Sequence, residues 1–310
     1  MRSQTNNPGT GERSIETDGG AKGRSTVGDA GVAALATSSL DVDTLDYVSF
    51  IALLNETNRP PGGKATVRFW IQNAHLSPAS DVLEIGSNTG FTSLELARSC
   101  GCRVTGIDIS PAAVEVARGE LAADVPAVRE RVRFEVADAL EIPAEGDAFD
   151  AVVCGGALSF VRDRERALVE IGRVLRPWGF VCVSPLAYHS QPPEALLDDL
   201  EGVLGFRVPV FTSADWLELF RGAGFEVYVA RQLPLASRPD SAVEAYVDYL
   251  VAGRLPEVPD ESVPALRRRA LRTFRVFNEN HRYLEALQSV LRLRPLPEQW
   301  ELFAVDQLRQ

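Results

Sequence analysis

The sequence predicts an α/β fold in which helices cover both faces of a mostly parallel β-sheet. Two observations carry this prediction. Between residues 80 and 186, apolar runs typical of strands alternate with amphipathic segments of helical period. The strand-like runs, such as DVLEIG and FDAVVCGG, are almost continuously apolar, which is typical of strands that are buried on both faces.

The elements before the sheet divide into two parts. Residues 1–40 are rich in small polar residues and show no periodicity, so we expect a disordered tail. Residues 41–77 carry apolar side chains at helical spacing in LDYVSFIALLNE and ATVRFWIQNAHL, with the helix-breaking NRPPGG between them. This region predicts an N-terminal helical cap.

Residues 78–236 carry the alternation that predicts the core sheet. In order, we expect the strand DVLEIG, the helix FTSLELARSC, the strand CRVTGID, a helix capped by Ser110, and the strands VRFEVAD and FDAVVCGG. The helix RERALVEIGRVL and the strand FVCVSPL follow. A cap helix within residues 187–210, a capping box in TSAD before the helix WLELFRGAGF, and the strand EVYVARQL complete this region.

The last part of the chain has the pattern of a helical insertion followed by a strand. Residues 237–292 contain the helical patterns SAVEAYVDYLVAG and VPALRRRALRTFRVFNENHRYLEALQSVLRL, and we expect a cap for substrate or subunit contacts. Within residues 293–310, EQWELFAVDQ is expected to form the final strand that completes the core.

The composition narrows the class of protein. The chain has 310 residues, with 43 acidic and 32 basic side chains and a net charge of -11 at pH 7. Such a field repels phosphate backbones, so we expect no nucleic-acid partner. No apolar stretch approaches the ~20 residues of a membrane span, and the first residues lack the apolar segment of a secretory signal. We therefore expect a cytoplasmic protein with no membrane partner.

The four cysteines do not indicate a metal site. Cys100 and Cys102 form one close pair, but no second pair follows at the spacing of a zinc site. Cys154 and Cys182 lie within apolar, strand-like runs, where a free thiol packs as a small apolar side chain. We expect four reduced thiols and no bound metal.

The loop GSNTG, residues 86–90, directly follows the first strand. In open α/β sheets, ligands bind beyond the carboxyl ends of the strands. Gly86 and Gly90 lack a Cβ atom, so a ligand can approach the backbone, and Asn88 tolerates a left-handed conformation. The next helix begins at once, and its free N–H groups face the ligand. The loop therefore predicts a ligand site.

Three acids at successive strand ends indicate which ligand binds. Glu84 fits a cation better than a pyrophosphate, and the loop lacks the G-x-G-x-x-G spacing of dinucleotide sites. Asp108 ends the second strand, where a carboxylate commonly binds ribose hydroxyls. Asp138 ends the third strand, within reach of an amino group on a base. A ligand with an amine or sulfonium, a ribose and an adenine fits all three, and S-adenosylmethionine is such a ligand.

The same residues carry a resemblance to a known family. Residues 80–185 resemble the class I S-adenosylmethionine-dependent methyltransferases of small molecules, through VLEIGSNTG, VTGIDISP, VADALEIP, FDAVVCGGAL and VLRPWGFVCVS. The resemblance implies a Rossmann-like sheet whose last strand is antiparallel. It also implies S-adenosyl-L-methionine as cofactor, S-adenosyl-L-homocysteine as product, and methyltransferase activity.

The resemblance further implies which residues contact the cofactor. The residues implied to shape the methionine pocket are Glu84, Gly86, Ser87, Asn88 and Gly90. Those implied to contact the ribose and adenine are Asp108, Ile109, Asp138 and Ala139, and those that close the pocket beneath the sulfonium are Cys154 and Gly155. NETNRPPGG lies where such enzymes often carry a segment that folds over the cofactor, and Arg59 would there pair with a carboxylate. A plain helix-breaking turn is the alternative.

A catalytic base is less clearly indicated. Ser159 and Phe160 stand where many relatives place a histidine, which favours a nitrogen or an already acidic carbon or oxygen as the acceptor atom. The candidates for a base or a substrate-orienting group are, in order, His189, Tyr188 and His281. A surface or structural role is the alternative for each of them.

The helical insertion is rich in arginine although the chain is acidic. These arginines form a solvated face or, alternatively, recruit an acidic substrate or pair with another subunit in a homodimer; they are Arg267, Arg268, Arg269, Arg272, Arg275 and Arg282. The aromatic residues of the insertion form core or line an apolar acceptor pocket; they are Tyr246, Tyr249, Phe274, Phe277 and Tyr283.

The sequence thus predicts methyl transfer from S-adenosylmethionine to a small molecule, in bacterial secondary metabolism. Nitrogen, oxygen and carbon all stay open as the acceptor atom. Two alternatives stand beside this prediction. One is an NAD(P)-dependent oxidoreductase on a similar sheet, and the other is a scaffold that binds the cofactor without catalysis.

Overall fold

The computed structural model describes residues 41–57, 59–256 and 258–294. Two predictions lie outside these residues: the disordered tail of residues 1–40 and the final strand within EQWELFAVDQ. Among the described helices, none combines the length and the apolar character that crossing a bilayer requires.

The strands of the described residues, numbered in chain order, are β1 Asp81–Ile85, β2 Arg103–Asp108, β3 Val132–Val136, β4 Phe149–Cys154, β5 Leu175–Val183, β6 Leu186–Tyr188, β7 Phe225–Pro234 and β8 Leu284–Leu293. The α-helices are α1 Tyr47–Leu53, α2 Lys64–Asn73, α3 Phe91–Cys100, α4 Pro111–Ala122, α5 Pro126–Arg129, α6 Arg164–Val174, α7 Glu194–Leu204, α8 Ser213–Gly222, α9 Asp240–Ala252 and α10 Val263–Asn280.

Capping residues start two of these helices where the sequence indicates. The Ser110 hydroxyl accepts a hydrogen bond from the Ala113 N–H at 3.3 Å, and Pro111 occupies the first turn of α4. The Thr212 side chain and the Asp215 carboxylate form a reciprocal capping box at the start of α8. Both predicted caps are confirmed.

The sheet has the order β3-β2-β1-β4-β5-β8, and β7 pairs with the other edge of β8. The five strands from β3 to β5 are parallel, whereas β8 runs antiparallel to both β5 and β7. The short strand β6 pairs with β8 beside β5 and continues the line of β5. The predicted mostly parallel, Rossmann-like sheet with an antiparallel last strand is confirmed.

The prediction of helix through residue 292 is wrong from residue 284 onward. The helical pattern ends with α10 and a turn of 3-10 helix, His281–Tyr283, and the chain then forms β8 in the interior of the sheet. LEALQSVLRL contains good helix formers and no alternation, because its first eight residues are buried on both faces. Pairing with β5 and β7 overrides the local preference, since β propensity depends mainly on packing context.

Helices cover both faces of the sheet, and further helices form a cap beyond one end of it. One apolar cluster packs α6 and α8 on one face, and a second packs α2, α3 and α4 on the other. A third cluster joins α1, α9 and α10 to one another and to Val116 of α4. The end of α10 and α7 pack on β6 in a fourth cluster. The cap helices therefore have a core of their own.

Candidate cofactor and acceptor site

The loop after β1 adopts the conformation that its residues allow. Gly86, Asn88 and Gly90 have φ angles of 71°, 45° and 90°, in the left-handed region. A Cβ atom on Gly86 would collide with Ala157, and one on Gly90 would lie 2.8 Å from the Phe134 ring. The group that packs closely on Gly90 is therefore the Phe134 side chain of the protein itself. The loop N–H groups of residues 86 and 87 are held by the Ile107 carbonyl, both at 2.9 Å.

Glu84 is a buried acid at the end of β1. Its side chain is 3% exposed, and its Oε2 accepts a hydrogen bond from the Ser93 hydroxyl at 2.5 Å. Burial raises the pKa of Glu84 to about 8, although hydrogen bonds from Ser93 and Thr92 oppose the shift, and the nearby charge of Asp108 adds to it. The groups that shift this pKa include no basic side chain. A ligand cation would supply the missing positive charge.

Asp108 is fixed at the end of β2 by main-chain donors. Its two carboxylate oxygens accept hydrogen bonds from the Asn88 N–H and the Ser110 N–H, each at 2.9 Å. Each oxygen keeps a second lone pair, so the carboxylate can accept two further hydrogen bonds from vicinal hydroxyls. The adjacent Ile109 is 65% exposed and offers a flat apolar surface beside the carboxylate. This pairing of groups fits a nucleoside.

Asp138 lies two residues beyond the end of β3. Its side chain is exposed and accepts a hydrogen bond from the Leu140 N–H at 2.9 Å. The preceding N–H, of Ala137, donates to the Asp108 carbonyl at 3.0 Å, so the two strand ends are joined. Ala139 is half-buried and packs against the core. The structure therefore places Glu84, Asp108 and Asp138 at the ends of three adjacent parallel strands.

The carboxyl end of β4 lies beside the three strand ends that carry the acids, and it is formed by Cys154 and Gly155. Cys154 is fully buried, and burial raises the pKa of its thiol to about 12, so the group is an uncharged, apolar side chain rather than a nucleophile. The Gly155 carbonyl accepts a hydrogen bond from the Ser184 N–H at 2.9 Å, which ties β4 to the end of β5. A Cβ atom on Gly155 would lie 3.3 Å from the Cβ of Pro60.

The segment between α1 and α2 lies over these strand ends. Besides the contact of Pro60 with Gly155, the Arg59 guanidinium lies over the Phe91 ring at 5.0 Å, and the Thr89 hydroxyl donates to the Thr57 carbonyl at 3.5 Å. A cavity of about 700 Å³ lies between this segment, α3 and α9, with Arg59 and Thr89 in its lining. Asp108 and Asp138 do not line this cavity.

An array of aromatic rings closes the region above β4. Phe160, 41% exposed in the turn after β4, stacks on Tyr47 of α1 with ring centroids 6.4 Å apart. The Tyr47 ring also contacts Phe277 of α10, edge to face, at 5.8 Å. The array is extended by further ring contacts at Phe274, Tyr246 and Phe206. Sequence reasoning missed Tyr47 and Phe206, because contacts between distant segments leave no spacing signal.

The turn that presents Phe160 is rigidly held. Arg164 donates hydrogen bonds to the carbonyl oxygens of Leu158 and Ser159, at 3.1 and 2.9 Å. The Ser159 hydroxyl accepts a hydrogen bond from the Leu186 N–H at 3.1 Å. The Ser159 hydroxyl therefore has a structural role. Phe160 presents an apolar ring at the position where many relatives of the resembled family carry a histidine.

The three candidate bases lie in different environments. Tyr188 is buried; burial raises the pKa of its phenol, and a hydrogen bond with Asn280 opposes the shift. His281 is half-buried, and burial lowers the pKa of its imidazole, which keeps the ring neutral near pH 7. The His189 side chain is exposed, and the main-chain N–H of His189 donates to the Tyr283 carbonyl at 3.0 Å. Their catalytic roles stay predictions.

Several arginines of α10 have partners within the chain. Arg267 pairs with Asp248 at 2.6 Å, and Arg275 pairs with Asp240 at 2.6 Å. Arg269 donates to the carbonyl oxygens of residues 42 and 45 and lies over the Phe50 ring at 4.4 Å. These contacts join α10 to α9 and to the N-terminal segment, so these three side chains act within the cap.

Comparison with known proteins agrees with this geometry. Residues 83–183 match the family described as Methyltransferase domain. The O-methyltransferase cnsE of Penicillium expansum is 34% identical over 155 residues, which are 49% of this chain and 55% of cnsE. The solved structure of the MccD protein is 26% identical, with a TM-score of 0.66, and the match covers 76% of this chain and 100% of MccD. A geranyl diphosphate methyltransferase solved with S-adenosylmethionine matches at 16% identity and a TM-score of 0.54, over 84% of this chain and 94% of its own.

The fold is a mostly parallel α/β sheet with three acids at neighbouring strand ends. Residues 83–183 carry a methyltransferase domain, and a solved methyltransferase with bound S-adenosylmethionine shares the fold of this chain.

Proposed function

We propose that this chain transfers the methyl group of S-adenosylmethionine to a small apolar or aromatic acceptor. One observation carries the proposal: Glu84, Asp108 and Asp138 lie at or just beyond the ends of three adjacent parallel strands. The methyltransferase family match over residues 83–183 supports it. S-adenosylmethionine supplies an electrophilic methyl group when it is bound.

The proposed cofactor contacts follow from the chemistry of the strand ends. Glu84 would pair with the ammonium group, because its carboxyl lies in a buried site without a basic partner to shift its pKa downward. Asp108 would accept hydrogen bonds from the two ribose hydroxyls, and Ile109 would pack on the adenine. Asp138 would accept a hydrogen bond from the adenine amino group, beside Ala139. Arg59, in the segment over the site, would pair with the carboxylate of the cofactor.

The chain's contribution to the reaction is mainly alignment and the exclusion of water. Methyl transfer needs the acceptor atom in line with the bond that breaks, and correct placement alone lowers the barrier strongly. The ring array of Tyr47, Phe160 and Phe277 offers the acceptor an apolar surface above the end of β4. Pro60 and Gly155 close the site on the cofactor side.

The proposal assigns proton removal, where the acceptor needs it, to the candidate groups named above. Neutral His281 can accept a proton, whereas the buried Tyr188 phenol, with its raised pKa, holds its proton and can donate a hydrogen bond. An acceptor atom that is already acidic, or an unprotonated nitrogen, needs neither group. The proposal extends to bacterial secondary metabolism, for which the lysine-poor, arginine-rich composition is the support.

The decisive experiment is calorimetric titration with S-adenosylmethionine and S-adenosylhomocysteine, with NADH as control. We expect micromolar binding of both sulfur ligands and none of NADH. A panel of phenols, amines and acidic carbon compounds is then screened for acceptor-dependent formation of S-adenosylhomocysteine by mass spectrometry. Cofactor binding without turnover on the panel would favour the scaffold alternative. Failure to bind either sulfur ligand would overturn the proposal.

A further inference from the structure

A buried polar contact links α2 to the interior strand β8. The Gln288 Nε2 group donates a hydrogen bond to the Thr66 hydroxyl at 2.6 Å, and both side chains are 0% exposed. A buried amide or hydroxyl destabilises the folded state unless it is hydrogen-bonded, so an apolar pair would be the simpler choice at this position. The polar pair therefore requires an explanation beyond packing.

The contact is one step in a longer chain of hydrogen bonds. The Gln288 Oε1 atom accepts a hydrogen bond from Arg231 of β7, and the Arg231 guanidinium also lies over the Phe69 ring at 4.1 Å. The Thr66 hydroxyl, in turn, donates to the Pro61 carbonyl. The chain of contacts thus runs from the antiparallel edge of the sheet to the segment between α1 and α2.

The turn at residues 60–63 is shaped around the Thr66 hydroxyl. Gly62 has a φ angle of 83°, and a Cβ atom there would lie 2.5 Å from the Thr66 Oγ1 atom. The Gly63 N–H donates to the Pro60 carbonyl at 2.7 Å and closes the turn. Pro60 is the residue that packs on Gly155 at the end of β4. The hydroxyl therefore fixes the turn that presses Pro60 onto the strand end.

We propose that Thr66 and Gln288 are positioning residues of the cofactor site. They hold the turn of residues 60–63 against the end of β4 and so set how closely this segment covers the cofactor. The inference rests on the proposed function, because it takes the segment to be the cover of the S-adenosylmethionine site. Thr66 and Gln288 act through Pro60 and Pro61 and contact no ligand themselves.

The test compares variants that differ by one hydroxyl. Thr66→Val keeps the shape of the side chain and removes the donor, and Thr66→Ser restores the hydroxyl. Ser213→Ala is the matched control, because it removes another buried hydrogen bond, from Ser213 to Glu285 at 2.6 Å, away from the segment. Two quantities are measured: amide hydrogen exchange in peptides that cover residues 59–67, without ligand, and the dissociation constant of S-adenosylhomocysteine.

Thr66→Val is expected to accelerate exchange in residues 59–67 and to weaken S-adenosylhomocysteine binding by about five- to twenty-fold, since the Pro61 carbonyl loses its donor and the buried Gln288 amide loses its acceptor. Thr66→Ser is expected to behave like the unmodified chain, and Ser213→Ala to leave both quantities unchanged. Unchanged exchange and affinity in Thr66→Val would overturn the proposal, as would an equal effect of Ser213→Ala.

A second variant keeps the test decisive if Thr66→Val does not fold. Gly62→Ala places a Cβ atom against the Thr66 Oγ1 atom at a positive φ angle, so it disturbs the same turn and is expected to change both quantities in the same direction. If the unmodified chain binds no sulfur ligand, the proposed function fails, while the exchange measurement still decides whether Thr66 holds the turn. Unchanged exchange in Gly62→Ala would contradict the proposed link.

Discussion

The strand-end loops of β1 to β3 and the helical cap with its array of aromatic rings are held together by different kinds of contact. The loops are held mainly by main-chain groups of neighbouring segments, as where the Asn88 N–H binds Asp108. The cap is held by side chains from distant segments, as where Tyr47 of α1 contacts Phe160 and Phe277. The proposed cofactor contacts therefore lie in short stretches of sequence, whereas the proposed acceptor surface forms only when distant segments fold together.

The largest effect on the strand-end loops is expected from a substitution of Asp108. Asp108→Ala removes the acceptor of two main-chain donors and the proposed ribose contacts. Affinity for S-adenosylhomocysteine is expected to fall by up to about 3 kcal/mol, because a half-buried, charge-assisted hydrogen-bond network is lost. Calorimetry measures this change, with circular dichroism to check the fold. Unchanged affinity would show that the loops do not bind the ribose through this carboxylate.

A change in the cap is expected to affect the acceptor and not the cofactor. Tyr47→Ala removes two ring contacts, which costs about 1–2 kcal/mol of folding free energy. The KM for an acceptor found in the screen is expected to rise, while the dissociation constant of S-adenosylhomocysteine stays within a factor of about two. Tyr47→Phe, which keeps the ring, is the matched control. A comparable loss of cofactor affinity would mean that the two regions are not separable.

The buried Glu84 carboxyl makes the loop region sensitive to pH. Its pKa is raised from 4.5 to about 8, so between these values the folded, cofactor-free protein holds a proton that the unfolded chain has released. The free energy of unfolding is therefore expected to fall as pH rises through this window, by at most about 1.4 kcal/mol per pH unit. Urea unfolding at pH 5, 6, 7 and 8 measures the slope. Glu84→Gln should flatten it, and an equal slope in that variant would refute the assignment.

The smallest effect is expected at the ion pairs of the cap. Arg267→Ala removes an exposed ion pair with Asp248, and such pairs contribute little to stability because water and salt screen them. Thermal unfolding should shift slightly, and the shift should shrink in high salt because exposed charges are screened. The KM for the acceptor should not change. A large rise in KM would instead support recruitment of an acidic substrate by α10.

The same difference explains what the sequence could predict. The sequence predicted the positions of three acids, Glu84, Asp108 and Asp138, because each lies at or just after the end of an apolar strand. Parallel strands bring their carboxyl ends together. The strand β8 was missed, since the first eight residues of LEALQSVLRL are buried and the segment becomes a strand only by pairing with β5 and β7. Gln288 was missed with it. No local pattern marks one glutamine in a run of helix formers as the partner of a threonine on α2.

The position of β8 also bears on how the protein is made. The strand β8 lies between β5 and β7 in the sheet, although it is the last described strand in the sequence. The strands β5 and β7 therefore cannot join through β8 until residues 284–293 have left the ribosome. Until then the edge of β5 is an open template for pairing with other chains, which is a hazard for partly synthesised proteins. Because Gln288 holds Thr66, the segment over the cofactor site also waits for this strand. On this proposal, the cofactor site is completed only after residues 284–293 have been synthesised.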